Sequence, residues 1–346
     1  IIGESSGFVS SPVHSSVSGK VLSIGPFPHP SGKRVLSIEI ENDELDEKVE
    51  FTSLKDSWRD AAPGELTQKI QSSGIVGMGG ASFPTHVKLS PPSNKPIDTL
   101  IINGAACEPY LTADHRLMLE KTDELLTGML ILKKILGVTT CVIGIEVNKP
   151  NAINAIASAL TDSKYEGLTL ARLKVKYPQG GEKQLINAVT GREVPSGGLP
   201  MDSGCVVQNV GTAIAVHDAI ILGKPLYERI VTVTGPTVKK PGNFLVRIGT
   251  PIRLLLDACR ADLAQTKKVI SGGPMMGNTQ PDLDAPIIKA SSGILAIDFT
   301  QKPVREYSCI NCGHCVYACP IHLVPSRLAK YVEKEDIDEA AAWNLM

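Results

Sequence analysis

The chain has 346 residues, 42% of them hydrophobic, with 35 Lys and Arg against 36 Asp and Glu and a formal charge of −1. That length allows two or three domains at roughly 150 residues each, and the apolar content excludes a disordered chain. The balanced charge, without a long basic run, argues against a nucleic-acid ligand. No stretch reaches the roughly 18 apolar residues that a membrane span needs; the greasiest, LLTGMLILKKILG, is broken by Lys133 and Lys134.

The sequence opens IIGESSGFVS, with no initiator Met or leader, and stops at WNLM after a helical-looking stretch. Both ends look cut, and a leader or further domains are expected beyond them. Residues 1–55 are predicted as an incomplete β domain, because SPVHSSVSGKVLSI and KRVLSIEIEN alternate apolar and polar residues between Gly, Pro and Ser turns. From residue 56 to about 225 strands and helices alternate. A helix opens at Pro63 and ends near Gly74, IDTLIING (97–104) is a buried strand, and 114–137 has helical periodicity with a terminal glycine. VTTCVIGIEV, LARLKVKY and a helix from Pro150 to about Leu160 follow, then helices at 181–189 and 211–222. This spacing predicts an α/β fold with a Rossmann-like parallel sheet covered on both faces. Its ligands are expected at the carboxyl ends of the strands. Residues 226–303 form a further β unit with one helix, and 304–346 carry a cysteine cluster and a charged helix.

Cys309, Cys312, Cys315 and Cys319 stand in CINCGHCVYACP, spaced C-x2-C-x2-C-x3-C-P. This is the bacterial ferredoxin run for a [4Fe–4S] cluster. Zinc is the competing ligand, but it usually pairs two C-x2-C units or adds histidine. In two-cluster ferredoxins the fourth cysteine serves the other cluster, so one cluster is expected, or two if sequence beyond Met346 supplies ligands. Clustered thiols imply a reducing, cytoplasmic compartment. The single cysteines 107, 141, 205 and 259 are expected to pack in cores.

In GIVGMGGASFPTHVK (74–88), Gly77, Gly79 and Gly80 allow a backbone N–H nest suited to phosphate, with Lys88 close by. Taken alone, such a loop serves equally well as a turn or a packing device. Three strand-following segments accompany it. INGAACEPY offers Asn103 and Glu108, YPQGGEKQ offers Tyr177, Gly180, Gly181 and Glu182, and VVQNVGT offers Gln208 and Asn209. Taken singly, the two glutamates suit solvated loop positions.

In this order the motifs resemble the NADH-binding flavin subunit of respiratory complex I, and more closely the RnfC component of the Rnf ferredoxin:NAD⁺ oxidoreductase family. The family loop G-x-G-G-A-G-F-P-T-x-x-K compares with Gly77 to Thr85 and Lys88, and the ferredoxin-type tail matches the Rnf branch. The resemblance covers essentially the whole chain. It implies a barrel-sandwich domain at 1–55, an FMN- and NADH-binding domain at 56–225, a β-grasp (SLBB-like) region at 226–303 and a ferredoxin-like segment at 304–346. FMN would meet Gly77, Gly79, Gly80, Lys88, Asn103, Tyr177, Gly180, Gly181, Gln208 and Asn209. NADH would meet Phe83, Glu108 and Glu182. The implied activity is hydride exchange between NADH and FMN, then one-electron transfer through [4Fe–4S] clusters, with no catalytic acid or base. The implied partners are other subunits of an ion-translocating membrane complex, and ferredoxin-type carriers indirectly. The implied place is the cytoplasmic face of the membrane, held through those subunits.

Departures are Met78 for an arginine, Ser82 for a glycine, Ala105 and Ala106 for an acidic pair, and EVPSGGLP (193–200) for aromatic and lysine contacts. Two other functions compete: the flavin subunit of a soluble hydrogenase or formate dehydrogenase, and a partner-binding scaffold with a degenerate nucleotide site.

Overall fold

A computed structural model describes residues 1–298 and 307–344. It begins with an antiparallel hairpin, β1 (Gly19–Pro28) and β2 (Arg34–Asn42), with a register shift between Val21 and Ser23. Helix α1 (Pro63–Ser72) starts on a proline, whose missing N–H costs nothing in a first turn. The glycine-rich loop follows, then the single turn α2 (Thr85–Lys88).

Next come β3 (Thr99–Asn103), α3 (Ala113–Glu120), α4 (Thr122–Leu136), β4 (Thr140–Glu146), α5 (Pro150–Ala159), β5 (Leu168–Leu173), α6 (Glu182–Thr190), β6 (Cys205–Asn209) and α7 (Val210–Ile221). The four strands form one parallel sheet in the order β5-β4-β3-β6. Alternate side chains serve two cores, as the pleat requires. Leu100, Ile102, Ile143 and Val206 pack with α4, α5 and α7. Ile101, Val207 and Leu173 pack with Leu185 and Ile186 of α6 on the other face. Both faces are covered, which is why the runs of β3, β4 and β6 are mostly apolar, while β5 at the edge carries the exposed Thr169 and Arg172.

Two expected elements of this domain differ. The helical run 114–137 is two helices, broken at Lys121 (φ −132°, ψ 43°), where the Thr122 hydroxyl donates to the Met118 carbonyl at 2.7 Å. A side chain bonding to its own backbone competes with helix continuity. The strand expected over 170–177 spans 168–173. Its partner β4 ends at Glu146, opposite Leu173, so Lys174 to Tyr177 have no ladder to join.

Strands β7 (Glu228–Thr234), β8 (Gly242–Arg247), β9 (Lys268–Ser271), β10 (Asn278–Thr279) and β11 (Gly293–Ile297) form a mixed sheet in the order β10-β9-β11-β7-β8. Helix α8 (Ile252–Ala258) packs on it through Ile252, Leu255 and Leu256. A separate C-terminal unit holds α9 (His314–Ala318), α10 (Pro325–Glu333) and α11 (Ile337–Ala342). The expected single charged helix is thus α10 plus α11. Asp336 caps the second of these by accepting the Glu339 N–H at 3.3 Å.

Helices α4 and α7 approach so closely that a Cβ on Gly128 would lie 2.0 Å from the Ala213 carbonyl oxygen. Gly128→Ala is therefore expected to destabilise the protein by about 1–3 kcal/mol despite alanine's better helix propensity. A urea midpoint that rises instead would refute this packing argument.

Candidate functional site

The chain runs from β3 to β4 and β5 on one side, then returns to β6 on the other side of β3. In such a sheet ligands bind outside the carboxyl ends of the strands, at the point where the strand order reverses. Asn103 and Asn209, register partners, end the two strands that flank it. Asn209 also begins α7: its Oδ1 accepts the Gly211 N–H at 2.8 Å, and its Nδ2 donates to Asp114 at 2.7 Å. Gln208, beside it, is 2% exposed, and its Nε2 has no hydrogen-bond partner.

The glycine-rich loop is closed at its base by the Gly77 N–H donating to the Phe83 carbonyl at 2.8 Å and a bridge between Val76 and Pro84. The Met78 N–H donates to Thr212 Oγ1 at 2.9 Å, which ties the loop to the first turn of α7. A Cβ on Gly79 would sit 3.6 Å from Asn209, while Gly80 (φ +123°) faces open space. Just beyond, Lys88 Nζ is 2.8 Å from Glu182 Oε1 and donates to the Val207 carbonyl at 3.2 Å. The two residues expected on different ligands are therefore partners of each other.

Asn103 joins the second and third loops. Its Nδ2 donates to the Gly180 carbonyl at 2.8 Å, and its Oδ1 accepts the Ala105 N–H at 3.1 Å. The loops touch so closely that a Cβ on Gly180 would meet the Ala105 carbonyl oxygen at 2.3 Å. Gly181 is the N-cap of α6, and Glu182 lies in its first turn. Tyr177 is 40% exposed; partial burial, then the nearby Glu108 and Cys107, push its phenol up. Glu108 Oε2 accepts the Met275 N–H at 3.1 Å, while Oε1 is buried without a partner. Phe83 is partly exposed.

Sequence reasoning missed four participants. Asp114 binds Asn209, and Thr212 holds Met78. The turn 271–277 meets Glu108, and Arg229 of β7 reaches the Met78 carbonyl at 3.3 Å. Only the turn carries a local signal, its glycines; the others are made by tertiary contact.

The unpartnered groups of this site offer both donors and an acceptor to a polar ligand. Ser82 Oγ in the glycine-rich loop, Glu108 Oε1 in the loop after β3 and Gln208 Nε2 on β6 are buried and unpartnered. Such groups cost free energy until something binds them. The N-terminus of α7 adds the partial positive charge that holds phosphates.

Residues 70–218 match the family model of the Nuo51 FMN-binding domain, 1–45 the RnfC barrel sandwich hybrid domain, and 230–279 the SLBB domain. The chain is 50% identical over 98% of its length to the RnfC-type component of the proton-translocating ferredoxin:NAD(+) oxidoreductase complex of Clostridium ljungdahlii, covering 74% of that protein. It is 46% identical over its full length to the corresponding component of the Na(+)-translocating complex of Acetobacterium woodii, covering 78% of that protein. The chain belongs to the RnfC family. The Pseudomonas aeruginosa member, from an ion-translocating oxidoreductase complex, is 42% identical, and the chain spans 44% of it. In fold this RnfC chain is similar to an NAD⁺-reducing [NiFe]-hydrogenase, with a TM-score of 0.58 at 20% identity over 74% of this chain and 54% of that one.

The four clustered cysteines are free thiols; Cys309, Cys312 and Cys315 are exposed, and Cys319 is partly buried. Asn311 and Gly313 take left-handed conformations that turn the chain between them, and Cys319 Sγ accepts the Leu323 N–H at 3.4 Å. Donor type and spacing fit an iron–sulfur cluster, although no three metal-ligating side chains converge among the described residues. Cys141, Cys205 and Cys259 are buried, and burial pushes the Cys141 thiol up to about 12, which suits packing.

Because Asn209 both caps α7 and ties it to α3, Asn209→Ala is expected to cost about 1–2 kcal/mol. An unfolding midpoint unchanged in urea would show that the cap is dispensable.

Proposed function

We propose that this RnfC family member is the electron-entry subunit of a membrane-associated ferredoxin:NAD⁺ oxidoreductase, binding FMN and NADH in the β3–β6 crevice. The observation that carries the reading is the glycine-rich loop held over the first turn of α7, beside a buried Gln208 amide that nothing in the protein satisfies. A scaffold has no use for such a group. FMN would lie against Gly77, Gly79, Gly80, Asn103, Tyr177, Gly180, Gly181, Gln208 and Asn209, with Lys88 at the margin. NADH would approach from the side of Phe83, Glu108 and Glu182.

Bound flavin accepts electrons in pairs from a hydride donor and releases them singly, so the protein supplies binding, orientation and electrostatics. Gly180 and Gly79 keep the floor low where a side chain would collide or project. Gln208 offers a desolvated N–H donor to the ligand. The Lys88–Glu182 pair spans the entrance to α6, so a ligand that engages either residue must compete with the other.

Cys309, Cys312, Cys315 and Cys319 would hold a [4Fe–4S] cluster, or share two, and pass electrons toward partner subunits. The names of the relatives place them in proton- and Na(+)-translocating complexes. Among the described residues no helix is long and apolar enough to cross a membrane. Docking on partner subunits at the cytoplasmic face would supply the membrane association.

The direct test is anaerobic addition of FMN, followed by titration with NADH. Stoichiometric bleaching of bound flavin is the expected result, and folded protein that retains no flavin would overturn the reading. Gln208→Leu is expected to weaken FMN binding roughly tenfold while leaving the unfolding midpoint unchanged or higher, because the native amide has no partner to lose. For the tail, Cys312→Ser is expected to lose iron and acid-labile sulfide with FMN binding intact; full iron retention would count against this ligand set.

A further inference from the structure

Arg229 lies outside the flavin-domain match yet reaches into the site. It is 5% exposed, and among the described residues its hydrogen bonds go only to main-chain carbonyls: Nε to Ile230 at 3.3 Å, one terminal nitrogen to Lys289, the other to Met78 at 3.3 Å. The carboxylate that faces it, Asp114, is engaged with Asn209 Nδ2 at 2.7 Å and acts on the guanidinium through space. Burial lowers the Arg229 pKa to about 10, and it pushes the Asp114 carboxyl up. A second buried cation, Lys289, bonds the carbonyls of Pro12 and Gly74 at 2.8 and 2.6 Å. Two buried cations thus hold the carbonyls of Gly74 and Met78, at either end of the segment that leads into the glycine-rich loop.

A buried cation without a bonded carboxylate is expensive. Arg229 donates to the carbonyl of Met78, the residue whose own N–H is tied to the first turn of α7, and Asp114 touches the residue that caps that helix. Both therefore act on the place where helix N-terminus and glycine nest favour negative charge.

We infer that Arg229 is a positioning residue for the phosphate end of the flavin nucleotide, its positive charge biasing the Gly77–Gly80 cradle toward an anion, and that Asp114 sets how much of that charge is felt. The inference rests on the FMN reading above. It assigns part of the flavin site to β7, beyond the flavin-domain match.

The test compares FMN with riboflavin, which has the same ring and no phosphate. Both are titrated by fluorescence quenching into the deflavinated full chain at low salt. Arg229→Met is expected to reduce the preference for FMN over riboflavin roughly tenfold, with riboflavin affinity unchanged. Arg229→Lys is expected to keep most of the preference, and Asp114→Asn to increase it. Equal loss of both ligands in Arg229→Met would mean a merely structural role and overturn the inference, as would a lower preference in Asp114→Asn. If Arg229→Met does not fold, Asp114→Asn and Arg229→Lys decide by the same ratio. Wild-type protein that binds riboflavin as tightly as FMN would overturn the inference while leaving a flavin site standing. Wild-type protein that binds neither would overturn the FMN reading itself.

Discussion

Asn209 ends a strand and starts a helix, and its amide oxygen and nitrogen are each committed to a protein partner in doing so. The oxygen takes a helix N–H, and the nitrogen holds Asp114 on α3. Its neighbour in register, Asn103, does the same across the sheet end, holding Ala105 and Gly180. An amide offers donor and acceptor from one short side chain; aspartate would lose the donor. The two asparagines thus convert the fixed spacing of adjacent parallel strands into fixed positions for three loops. A site built on strand ends inherits the rigidity of the sheet.

The glycines follow from that constraint. Once Asn103 draws Gly180 onto the Ala105 peptide, no side chain fits at Gly180. One level deeper, Gly104 approaches the Gly144 carbonyl so closely that a Cβ would lie at 2.9 Å. Glycine is required there by proximity, and the low floor that a flat ligand needs comes with it. Lys88 and Glu182 show the opposite case, in which charge suited to a ligand is also structural. Their contact links α2 to α6 past the end of β6.

The parallel sheet was legible because strands buried on both faces must be apolar at every position, and the runs at 99–103, 140–146 and 205–209 are nearly so. The motif loops were legible because they follow those strands. The break at Lys121 was hidden, since the apolar spacing continues through it and the Thr122 hydroxyl bond to the Met118 carbonyl leaves no mark in that pattern. Asp114 looks like an ordinary acidic residue in a helix's first turn, and Arg229 like a charge near a strand's start. Their partners lie 95 and 151 residues away, and no local pattern records such pairings.

Those distant contacts change what the SLBB region is for. Thr112, the N-cap of α3, makes no side-chain cap of its own. Instead Thr232 of β7 accepts the N–H groups of Thr112 and Ala113 at 3.2 and 3.1 Å, capping the helix from another sheet. The turn after β9 takes Glu108 in the same way, and a Cβ on Gly273 would lie 2.2 Å from that carboxylate. Arg229 holds Met78. These tethers end on α3, on the loop after β3 and on the glycine-rich loop, all of which border the crevice. Since α3 carries Asp114 and Asp114 fixes Asn209, the start of α7 is itself referenced to β7. The parallel sheet supplies the strand ends, and the second sheet, through Arg229, Thr232 and the turn after β9, fixes the loops beside them.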